Sequence, residues 1–207
     1  MQKISDPTIS RLSTYYRTLT RLLEKKIETV SSEKIAEINN ITSAQVRKDL
    51  SFFGSFGKRG LGYNTKKLRD QIATILGLDK KWNIALIGMG NIGQALIDYS
   101  EFKKQGFYIK ALFDNDPKKV GTTIGGLPVH HIDDVCYISN REMIEIAILA
   151  VPARVAQEVV DSMKACGVRA FLNFAPITIK VPPGVVVKNE NMSMELEALS
   201  YHLTQQI

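Results

Sequence analysis

A run of apolar residues, Ile84-Ala85-Leu86-Ile87, leads without a break into Gly88-Met89-Gly90-Asn91-Ile92-Gly93. Glycines at this spacing, after a strand and before a helix, form a phosphate cradle. Gly88 permits a tight turn, Gly90 lets a diphosphate approach the backbone, and Gly93 lets the helix pack closely on the strand. Met89, Asn91 and Ile92 complete the turn, and the helix N-terminus adds N–H donors and a partial positive charge. A second apolar run, Ile109 to Phe113, ends in Asp114, twenty-one residues after Gly93. A carboxylate there accepts both ribose hydroxyls of an adenosine and repels a 2′-phosphate, so the expected ligand is NAD rather than NADP. Lys118 and Lys119, which could reach such a phosphate, read as solvated turn residues.

A second set of residues suits a different polyanion. On a helical wheel for residues 43–53, Val46, Leu50 and Phe53 share one narrow arc, and Ala44, Arg47, Lys48 and Ser51 lie opposite. A buried stripe backed by Arg and Lys is what a major-groove recognition helix requires. Arg47 suits a bidentate contact to a guanine edge, Lys48 a phosphate, and Gln45 either a groove edge or the helix cap. Downstream, four glycines surround Lys58 and Arg59 between Phe53 and Tyr63, which reads as a β-hairpin wing with a basic tip for phosphates or a narrow minor groove. Charge agrees with this reading. Residues 1–80 hold fifteen Lys/Arg against eight Asp/Glu, and residues 81–207 hold twelve against thirteen. All the excess positive charge sits at the front of the chain, as for a polyanion-binding module joined to a neutral one.

Catalytic furniture is missing from the pattern. His130 and His131 are expected in a loop, and His202 on a terminal helix. No nucleophile–base constellation stands out, and no catalytic or metal-ligating residue is assigned. Cys136 and Cys166 are too few and too far apart in sequence for a disulfide scaffold or metal cluster; they read as small buried hydrophobes, with a redox thiol as the other reading. No membrane span or signal peptide is evident, which points to the cytoplasm. A nucleotide site without chemistry suggests sensing. The rival readings are a small NAD-dependent oxidoreductase with a basic appendage, and a regulator of another nucleotide such as a coenzyme A derivative.

The elements that must position these residues follow from periodicity. Asp6-Pro7 reads as a helix start with Asp6 at the N-cap, followed by a stripe of Ile9, Leu12, Tyr16, Leu19 and Leu23. A short helix over 33–39 should face Ile35, Ala36 and Ile38 inward. Thr42 and Gln45 read as a reciprocal capping box. A fourth helix, capped by Asn64 or Thr65, carries Leu68, Ile72, Ile75 and Leu76 and stops at Gly77. Residues 78–82 form the linker. Beyond it, strands at 83–87, 108–113, 146–151, 170–173 and 185–187 alternate with helices near 92–105, 132–139 and 153–166, which implies a parallel sheet. A last amphipathic helix, about 193–206, carries Leu196, Leu199 and Leu203. The expected fold is α/β, a Rossmann-type parallel sheet behind an all-α winged helix-turn-helix domain. Its divisions are 1–80, 81–190 and 191–207.

Several strings together resemble the Rex family of redox-sensing repressors: Pro7-Thr8-Ile9 with Arg11-Leu12, Tyr15-Tyr16-Arg17, the stretch from Ser43 to Tyr63, Gly88 to Gly93, Phe113 to Gly121, Ala150 to Ala153, and Asn173-Phe174-Ala175-Pro176. The resemblance runs the length of the chain. It implies a homodimer on double-stranded operator DNA, with a C-terminal dimerisation helix swapped into the partner. It also implies transcriptional repression that is relieved when NADH binds, while NAD⁺ permits DNA binding. Tyr99, Val151, Pro152, Asn173 and Phe174 should lie near the nicotinamide, and Arg17 at a head–body interface. Asn191 stands where the family often has an acid, so that an Arg17 pairing would fall to Glu190.

Overall fold

The computed structural model describes residues 4–57 and 61–205. The basic tip expected at Lys58 and Arg59 lies outside the described residues. The chain divides into two compact units, Met1–Lys80 and Lys81–Ile207.

In the first unit, α1 (Asp6–Glu24), α2 (Ser32–Ile38), α3 (Ser43–Ser51) and α4 (Thr65–Leu76) enclose one apolar core. The N-cap of α1 is Ser5, so Asp6 is a first-turn acid rather than the cap. The buried stripe is Leu12, Tyr15, Leu19 and Leu22, which moves two predicted positions by one residue and leaves Ile9 exposed. Tyr15 turns inward because its hydroxyl has a buried acceptor in Asp49. In α2, Ile35 and Ala36 are buried but Ile38 is exposed. Asn40 closes the α2–α3 turn at φ 53°, a left-handed conformation that asparagine tolerates. Asn64 caps α4 by accepting from Lys67 N–H at 2.8 Å, and Gly77 ends it at φ 70°.

The tip of the hairpin expected over 53–63 lies outside the described residues, and its second arm has a further partner. A short strand before α2, β1 (Thr29–Val30), pairs antiparallel with β2 (Tyr63–Asn64). The two arms still come close, since a Cβ on Gly57 would lie 2.7 Å from the Gly62 carbonyl oxygen.

The second unit is a seven-stranded sheet, β3 (Trp82–Ile87), β4 (Phe107–Asp114), β5 (Thr123–Ile124), β6 (Leu127–His131), β7 (Ile146–Leu149), β8 (Ala170–Asn173) and β9 (Val186–Asn189). Its order is β5-β6-β4-β3-β7-β8-β9, parallel throughout except for the β5 edge. Trp82 opens β3 rather than closing the linker. The histidine pair lies in β6, parallel to β4, and not in a loop. Strand alternation sorts the two faces. Ala85 and Ile87 join α7 (Val135–Arg141) and α8 (Ala153–Ala165), and Ile84 and Leu86 meet α5 (Asn91–Ile97) and α6 (Ser100–Lys104). The single helix expected over 92–105 is thus two, broken at Asp98 and Tyr99. A 3-10 turn at 132–134 precedes α7, and α9 (Met192–Thr204) ends the chain.

Packing of α7 on α8 also brings together residues 30 apart in sequence. Cys136 and Cys166 are disulfide-bonded with their Cα atoms 5.0 Å apart. Cys136 is exposed and Cys166 half-buried, which corrects the expectation of two buried hydrophobes.

Candidate nucleotide cleft and nucleic-acid interface

In the parallel sheet the strand order reverses between β3 and β7. Ligands of doubly wound folds bind in the crevice beyond the carboxyl ends of such strands. A cleft of about 980 Å³ opens there, and it brings together Gly88, Gly90, Asp114, Val151 and Pro152 of the predicted set. Each glycine of the turn has a different reason to lack a side chain. Gly88 sits at φ 94°, and a Cβ on it would run into the Ala150 carbonyl. A Cβ on Gly93 would overlap the Gly88 carbonyl, whereas one on Gly90 would meet nothing within 4 Å. Gly90 is therefore open toward the cleft, where a diphosphate needs room. Met89, Asn91, Ile92 and Gly93 shape the turn without lining the cleft, and Met89 is fully buried.

Asp114 works on its own chain. Its Oδ2 accepts from Met89 N–H at 2.7 Å and its Oδ1 from Asp116 N–H at 2.9 Å. The Lys119 ammonium donates to Oδ2 at 3.2 Å. Burial pushes the Asp114 carboxyl up, but these donors outweigh it and hold the group below its ordinary value. A carboxylate has about four lone-pair sites. With three engaged, one remains for a ribose hydroxyl rather than the two expected. Lys119 is half-buried and lines the cleft, so only Lys118 is the solvated turn residue foreseen. Arg154 in the first turn of α8 also lines the cleft and was missed; nothing in its local spacing marks it.

In the first unit, α3 presents Ala44, Arg47, Lys48 and Ser51 to solvent while Val46 and Leu50 are buried. Arg47 is not idle there. Its guanidinium donates to Ser32 Oγ at 2.9 Å and Glu33 Oε1 at 3.0 Å, at the edge of a cavity of about 660 Å³ between α3 and the wing. Both partners of the Arg47–Glu33 pair are more than half exposed, so the pair is weak and exchangeable. Thr42 Oγ1 accepts from Gln45 N–H at 3.1 Å, but the reciprocal half of the capping box is absent. Gln45 Nε2 instead donates to Asp49 Oδ1 at 2.7 Å.

Asp49 is a second residue that sequence reasoning missed. Wholly buried on α3, it accepts from Arg11 Nε at 2.6 Å, Arg11 guanidinium at 2.7 Å, Tyr15 hydroxyl at 2.8 Å and Gln45. Burial pushes its carboxyl up, and the hydrogen bonds, Arg11's first, bring it below its ordinary value. Burial and the hydrogen bond to Asp49 push the Tyr15 phenol up. This network ties α3 to α1 and fixes the azimuth at which Arg47 and Lys48 emerge. Its one sequence signal is the Gln45/Asp49 spacing of four on an otherwise basic helix.

The histidines form no site. His130 packs against Phe113 at 5.9 Å between ring centroids, and His131 Nδ1 accepts from Asp133 N–H at 3.3 Å. Among the described residues no cluster suits a metal ion, and no helix is long and apolar enough to cross a membrane.

Comparison with known proteins settles the kinship. A family model described as "CoA binding domain" matches residues 79–177, and one described as "Putative DNA-binding protein N-terminus" matches residues 3–51. The redox-sensing transcriptional repressor Rex of Desulfitobacterium hafniense is 46% identical over 201 residues, covering 97% of this chain and 96% of that protein. The chain belongs to the Rex family of redox-sensing transcriptional repressors. RSP, a Rex-family repressor, in complex with β-NAD⁺ and operator DNA, is 38% identical with a TM-score of 0.94, covering 100% of this chain and 95% of that one. The RSP complex with β-NADH is 36% identical with a TM-score of 0.88, covering 100% of this chain and 97% of that one.

The residues assigned through Rex resemblance fall in varied places. Tyr99 is exposed at the N-cap of α6 and stacks edge-on against Phe102 at 5.0 Å. Asn173 is wholly buried with its amide used internally, donating to the carbonyls of Ala175 and Ile177 and to Asn189 Oδ1, and accepting from Ala175 N–H. It braces the loop that carries Phe174, and neither residue lines the cleft. Arg17 is exposed on α1. Asn191 caps α9, accepting from Ser193 N–H at 3.0 Å, which gives the amide a structural role where an acid was expected.

Proposed function

We propose that this chain is a repressor that binds operator DNA as a homodimer and lets go when NADH occupies the cleft, so that its output follows the NADH/NAD⁺ ratio. The observation that carries this reading is the presence, in one chain, of an α3 face with exposed Arg47 and Lys48 and a glycine-turn cleft at the switch point of a parallel sheet. RSP, which matches the whole chain, was crystallised with β-NAD⁺ and operator DNA and separately with β-NADH. Arg47 reads a base edge, Lys48 and Ser51 meet the backbone, and Lys58 and Arg59 extend the contact. Gly88, Gly90 and Asp114 hold the adenosine diphosphate half of the ligand, and Val151 and Pro152 face the remainder.

The dihydronicotinamide of NADH is neutral and enters an apolar pocket without desolvating a charge, which the nicotinamide cation cannot do. Phe174, which lies outside the cleft of one chain, and its neighbours supply that pocket where two copies meet at the dimer axis. Two recognition helices must meet half-sites one helical turn or a multiple apart, so a small rotation of paired subunits abolishes joint docking. The required preference of NADH for the DNA-incompetent state is modest, about 1–3 kcal/mol. In α9, Leu196, Leu199 and Leu203 are each at least 60% exposed, and burial of this stripe against a second copy forms the dimer. An operator-binding titration with NADH, NAD⁺, NADPH and ATP tests the reading, and the CoA-binding match makes a coenzyme A derivative the fifth ligand. Weakening by NADH alone supports it; release by the coenzyme A derivative alone replaces it.

A further inference from the structure

The dinucleotide reading leaves the disulfide unused, although it sits on the cleft. Cys136 lines the cleft beside Ile132 and Asp133, and Ser162 and Ala165 line it from the last turns of α8. The bond joins the first turn of α7 to the residue that ends α8. It therefore staples together two elements of one cleft wall. We propose that Cys136 and Cys166 form a reversible thiol–disulfide couple through which a peroxide-class oxidant sets the affinity of the dinucleotide cleft.

Three observations support reversibility. Cys136 is exposed and Cys166 half-buried, so oxidant and reductant reach the sulfurs. The helices do not depend on the bond, because Val135, Ile138, Val159, Val160 and Met163 pack α7 and α8 into the sheet core. The dithiol form also has a ready acceptor: the Ser162 carbonyl oxygen lies 3.0 Å from Cys166 Sγ and 3.9 Å from Cys136 Sγ. The chemistry balances as a two-electron oxidation. The Cys136 thiolate attacks one peroxide oxygen, the O–O bond breaks, and a sulfenic acid and one water form after protonation. The Cys166 thiolate then attacks the Cys136 sulfur, the S–O bond breaks, and the second water leaves. In sum, two thiols and one hydrogen peroxide give one disulfide and two waters. A small dithiol reverses it by exchange, itself becoming a disulfide.

The staple holds the wall in one arrangement before the ligand arrives, so the oxidised form binds dinucleotide more tightly, by about five- to tenfold. Linkage demands the reciprocal effect, with bound NADH favouring the disulfide by the same factor. The inference rests on the dinucleotide reading of the cleft, and the experiment separates the two. Full-length protein is prepared peroxide-treated and dithiothreitol-reduced. Each form is assayed for free thiols and intact mass, then titrated with NADH and NAD⁺ by calorimetry, with the Cys136→Ser/Cys166→Ser double variant alongside. The expected result is no free thiol after peroxide, two after reduction, tighter binding only in the oxidised protein, and a double variant that behaves as reduced in both preparations. Thiols that do not pair with each other, or affinities equal within twofold in the two states, overturn the couple while leaving the dinucleotide reading intact. Absence of NADH and NAD⁺ binding in both states overturns the dinucleotide reading together with the coupling. The two redox states of the unmodified chain make the comparison even where the variant folds poorly.

Discussion

Replacing Asp49 by Ala removes the acceptor of four hydrogen bonds on the face of α3 turned away from Arg47 and Lys48. Arg11 keeps its bond to Thr8 Oγ1 at 3.2 Å but loses its counter-charge, and the Tyr15 hydroxyl loses its buried acceptor. Breaking a buried ion pair costs about 3–5 kcal/mol. Arg11 retains 28% side-chain exposure and can be partly rehydrated, so the expected loss is nearer 2–3 kcal/mol. With a urea m-value of about 1.5 kcal/mol/M for a unit of this size, the midpoint should fall by about 1–2 M. The only tryptophan, Trp82, belongs to the second unit. Far-UV circular dichroism should therefore show the loss, while Trp82 fluorescence moves less. The pH dependence has a definite sign. Because the folded Asp49 carboxyl lies below its ordinary value, its stabilisation is full above the unfolded pKa of about 4 and is lost as pH falls through the folded value. Asp49→Ala should flatten that acid limb. A midpoint unchanged within error, or unaltered operator affinity, would refute the claim that this network sets the recognition helix.

Gly93→Ala places a methyl against the Gly88 carbonyl, and should weaken NADH binding by roughly tenfold or more while lowering Tm; Gly90→Ala should weaken binding with Tm unchanged, and calorimetry beside a thermal melt distinguishes them. Arg47→Ala should cost about 1–3 kcal/mol of discrimination at one base pair, read by operator mobility shifts, whereas Glu33→Gln removes the counter-charge from Arg47 and should raise operator affinity by about two- to fivefold at low salt. Leu199→Glu in α9 should raise the dimer dissociation constant by about thirtyfold or more; a sedimentation pattern identical to the parent would remove α9 from the interface.

The nucleotide turn was legible because its demands are local: which glycine needs a positive φ and which must admit another backbone follow from spacing within ten residues. The exposed face of α3 was legible for the same reason. Helix phase was not fixed where residues come in pairs. Tyr15-Tyr16 and Leu22-Leu23 fit a stripe equally well, and the choice falls to Asp49, 34 residues from Tyr15. The strand β6 was hidden by Pro128 and two histidines, which break the apolar alternation, yet pairing with Leu112, Phe113 and Asp114 of β4 stabilises it. The disulfide and the Lys119–Asp114 pair depend on how helices and turns pack. Neither leaves a mark on the local pattern.

The central claim is that NADH in the cleft releases DNA. Operator occupancy is best measured at a fixed, saturating NAD⁺ concentration while NADH is raised, with fluorescence anisotropy of a labelled operator as the readout. The account predicts a fall in anisotropy that shifts to higher NADH as NAD⁺ is increased, and that needs more NADH with Asp114→Ala. An operator that stays bound at every NADH concentration, although calorimetry shows NADH in the cleft, would contradict it.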